Sequence, residues 1–120
     1  MISPQLKSEL YEVDLDYTET VARFMDREDM FLKYFKKFFP AAEDTLKLLD
    51  DAITNGDNAE VERTAHALKG LAGNVGLNGV FYPAKKIVDD VRSNKTDEFR
   101  ADFTKLSAAF HKAKQLAEKL

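Results

Sequence analysis

From about Asp26 onward the apolar residues recur at steps of three and four almost without a break. The first long segment carries Phe31, Phe35, Phe38, Ala42, Leu46, Leu49 and Ile53, one continuous helical stripe. It predicts a helix over about 26–55, and Asn55-Gly56 supplies a stop of the C-cap type. Pro40 lies inside this stripe and is expected to bend or locally open the helix, because its ring opposes the carbonyl one turn earlier. Asp57 then reads as an N-cap, with Glu60 completing a capping-box pattern. A second stripe follows at Val61, Ala65, Leu68, Ala72 and Val75, ending at Gly76. It predicts a helix over about 58–75.

A third stripe, Leu77, Val80, Ala84, Ile87 and Val91, predicts a helix over about 78–93, with Pro83 suited to a first turn. The last runs through Phe99, Phe103, Leu106, Phe110, Ala113, Ala117 and Leu120 and predicts a helix over about 96–120. Ahead of these four, roughly 17–24 reads as a short helix covering one end. Alternating runs of the kind that mark strands are absent from the sequence, so the expected class is all-α. Four long helices with short connections favour antiparallel neighbours. The expectation is one domain over 1–120, an antiparallel up-down four-helix bundle with a short additional N-terminal helix.

Composition narrows the function classes. At 120 residues with 44% hydrophobic positions, the chain suits one packed domain rather than two, or disorder. A net charge of -3 argues against non-specific nucleic-acid binding, which relies on basic surface. With no cysteine there is no disulfide or thiolate metal site. The start, MISPQLKSEL, has neither the basic region nor the apolar run of a signal peptide, and no apolar stretch reaches the roughly 18 residues of a membrane span. A soluble, cytoplasmic monomer is the expectation, with no nucleic-acid or membrane partner.

The stretch from Thr64 to Leu77, TAHALKGLAGNVGL, concentrates the chemistry. It keeps helical spacing yet holds Gly70 and Gly73, each costing about 1 kcal/mol relative to alanine in a helix interior. It also holds His66, one of two histidines. Advancing about 100° per residue from the apolar stripe puts His66 roughly 140° from the core, Gly73 near 120° and Gly70 near 180°. Glu62 and Lys69 fall on the same flank, at roughly 100° and 80°. The glycines therefore face outward beside the histidine, and are expected to leave room for a macromolecule rather than to serve packing within the bundle. A neutral imidazole is a competent nucleophile near neutral pH, and a lysine ammonium one turn away can attract and hold a phosphoryl group.

These residues resemble the signature of histidine-containing phosphotransfer (HPt) domains, a His-x-Leu-Lys-Gly run followed by small residues and a glycine. His66, Leu68, Lys69, Gly70 and Gly76 occupy those positions, with Ala65, Ala72, Gly73 and Asn74 also typical. The resemblance extends upstream through FFPAAEDTLKLLDDAITNGDNAEVERTAHALKG, covering about 26–87 well and the rest more loosely. In one departure, Val88 stands where members often carry a glutamate. The resemblance implies a phosphorelay intermediate. His66 takes a phosphoryl group from the aspartyl phosphate of a response-regulator receiver domain, or from a histidine or hybrid histidine kinase, and passes it to another receiver. It also implies a carrier rather than a kinase, with no cofactor of its own and Mg²⁺ entering with the receiver.

Glu62, Gly70, Gly73, Asn74 and Phe39 are the expected docking residues. Phe39 and Leu32 lie off the apolar stripe and are expected to be partly exposed, forming an apolar patch. The aromatic-lysine run FLKYFKKFFP could suggest a membrane-surface helix, but its phenylalanines belong mainly to the core stripe. His111 beside Phe110 reads as a boundary residue, and two histidines so far apart make a zinc site unexpected. Adjacent acidic pairs such as Asp50-Asp51 do not share a helix face. Competing readings are a helical adaptor that is not phosphorylated, and the phosphoacceptor fragment of a larger histidine kinase. The initial Met and the lack of a visible linker favour a free-standing protein.

Overall fold

The structure, a computed structural model, describes residues 2–120. They form six α-helices: α1 (Pro4–Glu12), α2 (Tyr17–Arg23), α3 (Glu28–Asn55), α4 (Asn58–Asn74), α5 (Asn78–Arg92) and α6 (Phe99–Ala117). No strand occurs among the described residues. The four long helices pack in a ring, each against the next and α6 back against α3. Their opposed directions follow from pairs across the seams. Arg100 reaches Asp50 while Lys114 reaches Glu43, so α6 descends as α3 rises. Likewise Arg92 meets Glu62 while Phe81 lies against Gly73, so α5 runs opposite to α4.

Each expected stripe supplies a face of the core. Phe31, Phe35, Leu49, Val61, Ala65, Leu68, Val80, Ala84, Ile87, Leu106 and Phe110 are all fully inaccessible to solvent. Val91, Ile53 and Leu120 are only partly buried against the core, while Ala52, Val88 and Leu116 are buried. The apolar faces are thus somewhat wider than single-residue stripes, as packing against two neighbours requires. Val88, the one departure from the resembled pattern noted above, is one of these core residues.

The stops and starts have local causes. Gly56 adopts φ +68, and the Asp57 N–H donates to the Ala52 carbonyl at 3.1 Å, the Schellman closure of a helix end. Asp57 then accepts the Glu60 N–H at 3.2 Å. The expected reciprocal half of the capping box is replaced, because the Glu60 carboxylate is held by Arg63, with Nε donating at 2.9 Å. Pro40 does not interrupt α3, which is continuous to Asn55. It lies on the exposed side, where solvent can satisfy the carbonyl that loses its partner. Pro83 is not in a first turn: α5 begins at Asn78, so the proline lies inside the helix.

One element was not expected. Helix α1 starts with Ser3 accepting the Leu6 N–H at 3.2 Å and Pro4 in the first turn, and it buries Leu10. The turn after it docks on the start of α5, which has no side-chain cap. The N–H groups of Asn78 and Gly79 donate to the carbonyls of Asp14 and Val13, both at 3.0 Å. Two of the orphan donors of a helix N-terminus are satisfied in this way by distant backbone. At the opposite seam, Lys86 of α5 joins Asp90, Glu98 and the buried Asp102 at 3.0, 2.7 and 2.9 Å. The three carboxylates, Glu98 foremost, push the Lys86 ammonium well above its ordinary range.

Candidate functional site

Helix α4 buries Val61, Thr64, Ala65, Leu68 and Ala72 against the bundle, and this determines what its other side presents. His66, Ala67, Gly70 and Asn74 are exposed, while Glu62, Lys69 and Gly73 are half-buried along the same face. The imidazole therefore stands mid-helix on a rigid support, reachable from solvent. Among the described residues Lys69 makes no ion pair, so its ammonium is uncommitted one turn beyond the histidine.

The two outward glycines differ. A Cβ at Gly70 would meet nothing within 4 Å, so no packing constraint explains the absence of a side chain there. At Gly73 a Cβ would lie 3.3 Å from the Phe81 ring. The expectation that Gly73 serves no packing is corrected: α5 comes close to the C-terminal half of α4, and the ring of Phe81 covers that position. The Gly73 carbonyl also accepts a long hydrogen bond, 3.5 Å, from Arg23 at the end of α2.

Phe39 is not a surface residue. It is 3% exposed and packs edge-on against Phe35, Phe38 and Phe110, with ring centroids 5.1, 5.1 and 5.4 Å away. The helical projection of one segment missed this because α6 closes over that side of α3. Partly exposed apolar side chains gather elsewhere. A groove of about 400 Å³ runs between α3 and the end of α4, lined by Phe24, Tyr34, Lys37, Leu71, Asn74 and neighbours. Leu32, by contrast, is partly exposed as expected, packed against the edge of the core.

The flank of α4 toward α5 is charged instead. Arg92 donates through Nε to Glu62 at 3.1 Å, and Lys85 pairs with Asp89 at 2.9 Å. The Asp89 carboxyl is held below the usual carboxylate range, chiefly by the Lys85 hydrogen bond, with Lys69 and Arg92 adding attraction. These groups thus share one electrostatic neighbourhood with the histidine strip. Neither Arg92 nor the groove residues Phe24, Tyr34 and Leu71 stood out in the sequence, since each gains meaning only from a neighbouring helix.

A family profile, the Hpt domain, matches residues 33–118, well over half of the chain and all of α4 and α5. The chain belongs to the Hpt domain family. Hpt domains are the helical phosphocarrier modules of two-component signalling, and they work with receiver domains and kinases. The profile begins after α1 and α2, so the turn that caps α5 and the Phe24 wall of the groove come from outside the matched region. No curated protein and no solved structure matches the chain significantly.

The second histidine, His111, is exposed on α6 with its ring nearly perpendicular to that of Phe110, centroids 5.4 Å apart. Among the described residues no group of three or more His, Cys, Asp or Glu side chains could hold a metal ion. Among the described residues no helix is long and apolar enough to cross a membrane.

Proposed function

We propose that this Hpt domain is a phosphorelay intermediate whose phosphoacceptor is His66. A ring nitrogen attacks the phosphorus of a receiver's aspartyl phosphate. The bond from phosphorus to the carboxylate oxygen breaks, the carboxylate leaves, and a phosphohistidine forms. A second receiver's aspartate reverses these bond changes and takes the phosphoryl group on. Phosphoryl transfer needs mainly positioning and charge stabilisation, which suits a rigid helix carrying one nucleophile. Lys69 supplies positive charge for the phosphoryl oxygens from this chain, and Mg²⁺ enters with the receiver. The chain acts as a carrier rather than a kinase.

The observation that carries this reading is the combination at α4: an exposed imidazole, an uncommitted lysine one turn on, and at Gly70 an open space with no structural reason for a glycine. Docking falls on the Gly70–Asn74 side, where the apolar groove adjoins the strip and takes the role first assigned to Phe39. The test is incubation with a phosphorylated receiver domain, followed by assay for acid-labile, base-stable phosphate. The wild-type chain is expected to acquire it and His66→Gln to lose it completely. Phosphate on the His66→Gln chain would refute the site, and no transfer to wild type from a panel of receivers would favour a non-phosphorylated adaptor.

A further inference from the structure

Glu62 has no place in the transfer chemistry described above, and its charge opposes it. The residue lies one helical turn before His66, so their Cβ atoms are about 6 Å apart. Helical side chains lean toward the N-terminus, which tilts the imidazole over the turn that carries this carboxylate. A phosphoryl group on His66 would therefore face a like charge built into its own helix.

Arg92 meets that carboxylate from α5, its Nε donating to Glu62 at 3.1 Å. The other cations nearby are differently placed. Arg63 is engaged by Glu60, Lys85 is engaged by Asp89, and Lys69 stands on the turn beyond the histidine. The Arg92 side chain is 58% exposed and gives its Nε–H to this bond, which leaves the other N–H donors of its fork on the flank of α4 that carries Glu62.

We propose that Arg92 is a positioning residue for phosphoryl chemistry at His66, acting through Glu62 by cancelling its charge. The proposal rests on His66 being the phosphoacceptor and adds a requirement that the signature motif does not contain. With Arg92 in place, the phosphoryl group is flanked by Lys69 on one side and a neutralised carboxylate on the other. Without it, Glu62 repels the dianion and draws a proton to the phosphorylated ring. That proton makes the imidazole a better leaving group when water attacks phosphorus. In that hydrolysis the P–N bond breaks, a new P–O bond forms, and the products are imidazole and inorganic phosphate.

The experiment loads the full chain with phosphoramidate, a small donor that loses ammonia as the ring nitrogen takes the phosphoryl group and needs no receiver. Phosphohistidine loss is then followed by phosphorus NMR in wild type, Arg92→Gln, Arg92→Lys, Glu62→Gln and the Arg92→Gln/Glu62→Gln double variant. An exposed ion pair of this kind predicts a roughly two- to five-fold faster loss in Arg92→Gln. Arg92→Lys should stay near wild type, and the double variant should return to the wild-type rate. In molar salt, where screening acts within about 3 Å, the single-variant difference should collapse. A purely structural ion pair predicts the opposite for the double variant, which lacks the pair altogether. An Arg92→Gln rate equal to wild type, or a double variant as fast as Arg92→Gln, overturns the proposal. Failure of wild type to form any phosphohistidine at His66 instead overturns the reading of the site.

Discussion

The chain places glycines in two neighbouring regions that look alike in sequence and differ in kind. Gly76 and Gly79 lie at the turn from α4 into α5, and both are enforced by structure. Gly76 adopts φ +71, and a Cβ there would fall 2.4 Å from the Thr20 hydroxyl. A Cβ at Gly79 would fall 2.5 Å from the Val13 carbonyl oxygen, the group that caps α5. Gly70, two turns back along α4, has open space where its side chain would be and an ordinary helical position. A glycine that packing requires says nothing about function. A glycine that packing does not require, beside an exposed histidine, has given up helix stability of about 1 kcal/mol for another reason. In the proposed function, access for a partner supplies that reason.

The comparison breaks most visibly at Gly79. The obstacle there is backbone, not the movable end of a side chain, so Gly79→Ala must push α1–α2 away from α5 or lose the cap. A destabilisation of about 2–3 kcal/mol is expected, read as a lower urea midpoint with the slope retained. Gly76→Ala should follow, with about 1–2 kcal/mol from the left-handed backbone and a further share from displacing Thr20. An unchanged midpoint in Gly79→Ala would mean that the N-terminal turn does not hold α5 as described.

Gly70 should respond in the reverse sense. Gly70→Ala is expected to raise stability by about 1 kcal/mol and leave phosphoryl transfer near the wild-type rate, because a methyl group is small and uncharged. Gly70→Glu should leave the fold at least as stable, yet slow transfer from a phosphorylated receiver by roughly tenfold, through crowding and like-charge repulsion. Loading by phosphoramidate should suffer less than transfer from the receiver, since the small donor needs less clearance. Equal rates for the glutamate variant and wild type would remove access as the explanation for Gly70.

Much of this architecture was legible in the chain because helical periodicity is a local property. The stripes of α3 to α6 needed no knowledge of their partners, and the Gly56-Asp57 stop and start is a chemical signal within a few residues. What was not legible depends on contacts between distant segments. Phe39 lies off the α3 stripe, and only the approach of α6 buries it. Helix α1 is short and mostly polar; its Ser3-Pro4 start and the spacing of Leu6, Leu10 and Val13 were the signals that could have revealed it. The candidate site divides along the same line. His66, Lys69 and Gly70 sit on one helix and can be projected from it, whereas the Arg92–Glu62 pair and the Phe24–Leu71 groove join separate elements.

Gly73 lies between the two kinds and gives the finest test. Its position is helical, so alanine gains propensity of about 1 kcal/mol, but the new methyl would lie 3.3 Å from the Phe81 ring. That ring is only partly buried and packs edge-on against Tyr82, itself 56% exposed. It can therefore yield a few tenths of an ångström toward solvent without disturbing the core. Gly73→Ala should accordingly be stabilising, by a few tenths of a kcal/mol and less than Gly70→Ala, in parallel urea titrations. A variant less stable than wild type would show that Phe81 cannot move, and would group Gly73 with Gly76 and Gly79 rather than with Gly70. The same variant should transfer phosphate at close to the wild-type rate, because the added methyl group points beneath an existing ring rather than into the space beside His66.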